Sequence, residues 1–368
     1  MNIQGTKRDR AERISASQVM LLLEGVIKDV VRMISKNEPP VLSMASRTSW
    51  DNIRYTEGVG VQLKKDGKTS SIRFNSLTSV NKFALTLKVI SIIYKLVQTD
   101  SYCTKRDLYY QDPHLFTNQA VVDDIVDNVS CMIQVPRWDL HVLATSKGCV
   151  AGDLKYTEAD MNYVDCSLSP SGVMIPMDIF GIKNLRSDAK AIFVIEKDAT
   201  FQRLLDDNVT RKISPCIYIT GKGFPDVNTR LMLKRLWDEF KIPIFGLVDA
   251  DPHGIEILSI YKFGSKALSF EAHNLTVPAI KWLGVLPSDI QRLNVPNSAL
   301  IPLTKPDVDK ARDLLRRPYI LQNPVWKQEI DIMLRMGLKA EIQCLASISM
   351  NFLSEVYLPN KVRYGGWI

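Results

Sequence analysis

The sequence predicts a mixed α+β protein: a helical domain closing on a hairpin, of the winged-helix kind, followed by a Rossmann-like parallel sheet. Two observations predict it. Between Phe83 and Gly152, three apolar helical stripes precede two short apolar runs around a turn. Between Ala191 and Val248, three continuous apolar runs alternate with helical patterns, which is how parallel strands buried on both faces read.

At 368 residues, 46% hydrophobic and 24% charged, the chain is long enough for two cored domains. The expected division is an N-terminal amphipathic helix in 1–40, a winged-helix domain in 41–160, a linker in 161–185 and a sheet domain with a C-terminal extension in 186–368. In the first segment Val19, Leu22, Leu23, Val26, Ile27, Val30 and Ile34 recur at helical spacing before Pro39-Pro40. Such a helix either packs on its own domain or docks a partner. Residues 40–78 read as irregular or β-hairpin structure around the turn Lys64 to Lys68. Phe83, Leu87, Ile90, Tyr94 and Val97 mark a core helix. A short helix follows through Lys105 to Gln111, then a turn at Asp112-Pro113, then a helix carrying Val122, Ile125, Val129 and Met132. The expected hairpin pairs Leu140 to Ala144 with Cys149 to Gly152 and puts Lys147 at a wing tip, where basic residues reach DNA phosphates. A turn lysine is also commonly just solvated. The strands of the sheet domain are Ala191 to Ile195, Cys216 to Ile219 and Ile244 to Val248.

Net charge is +7, a mild basic excess that suits a nucleic-acid partner without requiring one. The six cysteines are scattered without metal-ligand spacing, so reduced thiols are expected. No apolar run approaches the roughly 20 residues that span a bilayer, and the N-terminus MNIQGTKRDRAER is polar, so neither anchor nor secretory signal is expected. No run of like charges reads as a nuclear signal.

The chemistry-bearing residues fall at the ends of predicted elements. Glu196 follows the first strand, Gly221-Lys222-Gly223 the second and Asp249-Ala250-Asp251 the third, and open α/β sheets bind ligands at those carboxyl ends. Asp249 and Asp251 are two apart and point the same way in an extended segment. With Glu196 they form an all-oxygen set that favours Mg2+, with Mn2+ as substitute, over zinc. A lone D-x-D is often only a loop with Asx turns. In Thr104 to Phe116, Arg106 and Tyr110 share one helix face at i, i+4. A guanidinium beside a phenol can hold a phosphate under attack, whereas Tyr109 lies about 100° round the helix. A tyrosine nucleophile with three metal-holding carboxylates is a minimal kit for cutting DNA while staying attached to it. His253 reads as a polar neighbour rather than a ligand, Phe224 as a sugar or base contact or as packing, and Glu256 as a second-metal ligand or a charge cap. The glycines at 221 and 223 match no nucleotide-binding fingerprint.

These segments carry a resemblance. KRDLYY, the stretch Ile195 to Asp207, TGKGFPD, LVDADPHGIEI and YLPNKVRYGGWI, in this order from about Asn81 onward, resemble the sporulation-protein-eleven family of meiotic double-strand-break proteins, related to the A-type chain of topoisomerase VI. The resemblance implies that Tyr110 is the nucleophile, Arg106 its motif arginine, and Glu196, Asp249 and Asp251 the acids of a Toprim metal site. It also implies a nuclear, chromosomal enzyme that binds double-stranded DNA, and a homodimer in which Tyr110 of one protomer works with the acids of the other. A topoisomerase-VI-B-like subunit is the implied partner, with the 1–40 helix as its dock. Two other readings stay open: a topoisomerase component that reseals its breaks, and a non-catalytic DNA-binding scaffold.

Overall fold

The computed structural model describes residues 14–209, 213 and 215–368, so the polar N-terminus, residues 1–13, lies outside the described residues. The chain forms two compact units, 1–46 with 65–144 and 47–64 with 145–368.

The first unit is helical. Helix α1 (Ala16–Ser35) begins at a capping box in which Ser15 and Gln18 satisfy each other's backbone N–H. Its Val19, Leu23 and Val30 are buried, while Ile27, Val31 and Ile34 are exposed. Helix α2 (Val80–Gln98) buries Phe83, Val89, Ile90, Ile93 and Val97. The short α3 (Lys105–Tyr110) and α4 (Pro113–Phe116) follow, and then α5 (Gln119–Ile133). Val19, Leu23, Ile90, Ile93, Leu108, Phe116, Ile125 and Val129 share one core, each such side chain contributing about 1.5–3 kcal/mol on full burial. Strand Val41–Ala45 pairs antiparallel with Thr69–Arg73.

The β-hairpin structure expected in 40–78 is present, Ile53–Thr56 pairing antiparallel with Gly60–Leu63 ahead of the Lys64 to Lys68 turn. The wing hairpin does not form. Val142–Leu143 pairs parallel with Cys103–Thr104, and Cys149–Gly152 joins the large sheet of the second unit. The reason is in its side chains: Cys149, Val150 and Ala151 are all buried, whereas a wing strand would alternate buried with exposed. Lys147 is therefore not a wing tip, and the compact units divide at 144/145 rather than at 160 and 186.

The second unit is built on a six-stranded sheet: β1 (Cys149–Gly152), β2 (Val173–Met174), β3 (Ala191–Ile195), β4 (Cys216–Thr220), β5 (Ile244–Leu247) and β6 (Lys281–Gly284), in the order β2-β1-β4-β3-β5-β6. Strands β4, β3, β5 and β6 run parallel, and β1 and β2 extend the sheet antiparallel. Every residue of β3, β4 and β5 is buried, which explains their unbroken apolar reading. Helices α6 (Asp198–Asp206), α7 (Val227–Phe240) and α8 (Pro252–Lys262) follow the three central strands in turn. The residues after β6 complete the unit. Ile368 exchanges both backbone hydrogen bonds with Trp282 at the β6 edge, and buried Lys361 sits 2.9 Å from buried Asp289, which also accepts the Tyr357 hydroxyl. None of the six cysteines is in a disulfide, and among the described residues no helix is long and apolar enough to cross a membrane.

Candidate active site

In the helical unit, α3 is fixed at its start and open at its end. Thr104 and Asp107 form its capping box, and that hydrogen bonding from Thr104 holds the Asp107 carboxyl below the usual range. Lys105 ties α3 to α5, its Nζ lying 2.7 Å from Asp127 Oδ1 and donating to Asp123 O at 3.2 Å. Leu108 is buried and Tyr109 packs half-buried on the core. Tyr110, by contrast, is 58% exposed. The Arg106 guanidinium lies 5.7 Å from the Tyr110 ring centre, and hydrogen bonding and charge from Tyr110 push the Arg106 pKa up further. The i, i+4 spacing thus places a cation on the phenol that faces solvent.

In the sheet unit, the strand ends gather the acids. Glu196 and Asp249 leave adjacent strands β3 and β5, and Glu196 Oε2 accepts the Asp249 N–H at 2.8 Å. Both are buried, at 8% and 4% exposed. Burial, reinforced by the Asp249 charge, pushes Glu196 up to about 8. Asp249 is also raised by burial, against the pull of the Lys197 ammonium and the Ile342 N–H. Asp251 caps α8, its Oδ1 accepting the Gly254 N–H at 2.6 Å, and Pro252 occupies the first turn. Gly254 is required here, because a Cβ would stand 2.5 Å from Asp249 O and 2.9 Å from Glu196 Oε2.

The three carboxylates are neighbours, yet each is turned to a protein donor. Among the described residues no three His, Cys, Asp or Glu side chains are grouped so as to hold a metal ion in this arrangement. Two residues that sequence reasoning missed complete the setting. Lys197 Nζ lies 2.9 Å from Asp249 Oδ2 and 3.1 Å from Glu341 Oε2. Lys197 was in plain view beside Glu196, but Glu341 belongs to no motif and arrives through a bridge between Ala250 and Ala340.

The remaining candidates fall around this strand end. Lys147 N and Gly148 N donate to Asp226 Oδ2 at 3.2 Å, and Lys147 Nζ reaches Lys222 O at 3.3 Å. Gly223 N donates to Glu196 O at 2.8 Å, which ties the glycine loop to the acids. Phe224 and His253 are exposed. Glu256 is committed elsewhere: it pairs with Lys310 and with Arg317 Nη2 at 2.5 Å. Burial raises its carboxyl, but those two cations outweigh it and hold the pKa low. In this arrangement it caps the charges of Lys310 and Arg317.

Comparison with known proteins places two segments of the chain in families. Residues 191–362 match the family described as the Toprim domain of Spo11 and the topoisomerase 6 A-subunit, and residues 81–142 match type IIB DNA topoisomerase. Over 96% of the chain it is 54% identical to the mouse meiotic recombination protein SPO11, covering 89% of that protein. The chain belongs to the family of Spo11 and the topoisomerase 6 A-subunit. The human meiotic recombination protein SPO11 is similar to the same degree, 54% over 96% of the chain and 89% of that protein. The DNA topoisomerase 6 A-subunit of Arabidopsis thaliana is 38% identical over 94% of the chain and 80% of its own length. Within the sheet unit, residues 191–362 are accordingly a Toprim domain of this family.

Proposed function

We propose that this chain makes meiotic double-strand breaks by topoisomerase-like tyrosyl transesterification and so initiates homologous recombination in the nucleus. One observation carries the chemistry: the exposed Tyr110 phenol lies against Arg106 at the open end of a rigidly capped turn. Tyr110 Oη attacks a backbone phosphorus, losing its proton to solvent. The deoxyribose 3′-oxygen leaves and takes up a proton, and the protein remains joined to the 5′ end. One phosphodiester replaces another, so cleavage needs no external energy. Arg106 orients the phosphate and offsets charge on the phenolate and phosphate oxygens.

The donor chemistry of Glu196, Asp249 and Asp251 suits a hard divalent ion, which would have to turn these side chains from the protein donors they now face. Their donors are all carboxylate oxygens, and two of the groups are buried with raised pKa, so a cation relieves a real electrostatic cost. When bound, Mg2+ or Mn2+ would supply positive charge to the phosphate oxygens. Lys147 and Phe224 stay in this reading as DNA contacts beside the strand ends, not on a wing.

Cutting both strands requires two tyrosines, hence a two-fold homodimer, with each Tyr110 serving the acids of the other protomer. The exposed Ile27, Val31 and Ile34 on α1 suit docking of a topoisomerase-VI-B-like partner. Leu23 lies in the core and would be a poor probe, so Ile27→Ser with Ile34→Ser is the informative change. It should weaken capture of that partner about tenfold or more at unchanged melting temperature; unchanged capture removes the dock from α1.

The reading is tested by covalent DNA capture on end-labelled duplex with the dimer, its B-like partner and Mg2+ or Mn2+. Label at the protein's mass, lost with chelator and with Tyr110→Phe, is the expected result. Equal label in the variant moves the nucleophile elsewhere, and none in any condition favours the scaffold. Relaxation of supercoils with the B-like partner and ATP would instead show a resealing enzyme.

A further inference from the structure

The Asp249 carboxylate is held at both oxygens. Oδ1 accepts the Ile342 N–H at 2.8 Å, and Oδ2 faces the Lys197 ammonium at 2.9 Å. The same ammonium is 3.1 Å from Glu341 Oε2. Lys197 therefore bridges a carboxylate that is 5% exposed and one that is 53% exposed. Glu341 is held there by its neighbours: Ala250 N donates to Ala340 O at 2.9 Å and Ala340 N to Ala250 O at 3.2 Å, while Ile342 binds Asp249 on the other side.

A buried carboxylate without a cation is costly, and Lys197 offsets part of that cost. A divalent ion approaching Asp249 meets an oxygen already holding a unit positive charge. Two cations at one oxygen repel strongly. Glu341 offers the displaced ammonium a paired position within hydrogen-bond reach, so Lys197 need not be driven unpaired into the site.

We propose that Lys197 is a resident counter-cation of Asp249 that competes with the divalent ion, and that Glu341 is a positioning residue that receives Lys197 when the ion enters. The inference rests on the metal-site reading above. It makes ion affinity a property that Lys197 and Glu341 set together.

The test is a double-mutant cycle read by Mn2+ binding to the full chain without DNA, using electron paramagnetic resonance of free Mn2+. Lys197→Gln should tighten Mn2+ about tenfold, since a competing unit charge is gone. Glu341→Gln should weaken Mn2+ about three- to tenfold while Lys197 is present, and less than about twofold in the Lys197→Gln background. Unchanged or weaker binding in Lys197→Gln overturns the competition. Equal loss from Glu341→Gln in both backgrounds makes Glu341 a plain negative charge or a direct ligand, and also overturns it. Melting temperature accompanies each variant. If Lys197→Gln leaves too little folded protein, Lys197→Arg replaces it: a forked cation gripping both carboxylates should weaken Mn2+ several-fold, and unchanged binding counts against the proposal. Wild-type protein that binds no Mn2+, or binds it equally after Asp249→Asn, ends the metal reading itself, a result distinct from a failed cycle.

Discussion

Arg106 and Tyr110 meet within one helical turn, whereas Glu196 and Asp249, 53 residues apart, meet only because two parallel strands end side by side. The first arrangement is local and open to solvent, and its side chains are free of the core. The second is buried and depends on sheet register, on the start of α8 and on a loop near the C-terminus. A nucleophile needs access and one stabilising cation, which a single capped turn provides. A metal site needs several hard donors held against their mutual repulsion, and here adjoining strand ends and the start of α8 hold them. Substitutions in the first region should therefore change chemistry without stability, and those in the second should change both.

The largest expected effect is Tyr110→Phe. Removing the nucleophile should lower covalent capture by at least about 10^4-fold, with stability within about 0.5 kcal/mol of wild type because the side chain is mostly solvent-exposed. Tyr109→Phe should retain capture. A large loss of stability in Tyr110→Phe would break the contrast between the regions. Next, Arg106→Gln should slow capture about 100-fold at an unchanged denaturation midpoint, and a rate within twofold of wild type would leave Tyr110 without its proposed partner.

Gly254→Ala probes the opposite case. Its Cβ would meet Asp249 O at 2.5 Å, and nothing flexible can yield there. The change should cost about 2–3 kcal/mol in urea unfolding and weaken Mn2+ binding together. Stability lost with Mn2+ affinity intact would show that the α8 start does not set the acid geometry.

What the sequence made legible follows the same division. Helical spacing alone put Arg106 with Tyr110, and unbroken apolar runs put Glu196 and Asp249 at strand ends, because both rest on short-range periodicity. The misplaced wing came from treating Cys149–Gly152 as a neighbour of Leu140 to Ala144, when its all-buried side chains fit the middle of a sheet. Proximity in sequence outweighed burial there, and burial decides. Glu341 had no local signature, and nothing in YLPNKVRYGGWI marked Lys361 as the buried partner of Asp289: each is placed by backbone bridges or packing across the unit. Such residues become visible only when the sheet and the segments after it are assembled.

The smallest effect tests how far that long-range frame extends. Lys339, two residues before Glu341, has its Nζ 2.8 Å from Asp307 Oδ2, and Ile301–Pro302 pairs with Leu338–Lys339. Asp307 also accepts the Thr304 hydroxyl at 2.7 Å and its N–H at 2.9 Å. Burial alone would raise this carboxyl, but Lys339 and Thr304 outweigh it and hold it at about 2. Since the folded pKa lies below the unfolded value of about 3.9, the group stabilises the fold fully above about pH 5, and that contribution fades as pH falls through 4 toward 2. Asp307→Asn should therefore cost about 1–2 kcal/mol at pH 7 and progressively less in urea unfolding toward pH 3. If the loop bearing Glu341 depends on this anchor, the variant should also weaken Mn2+ at pH 7 by a few-fold, and only while Lys197 and Glu341 are both present. A stability loss that does not change with pH would mean that neither the ion pair to Lys339 nor the Thr304 hydrogen bonds to the charged carboxylate carry the effect.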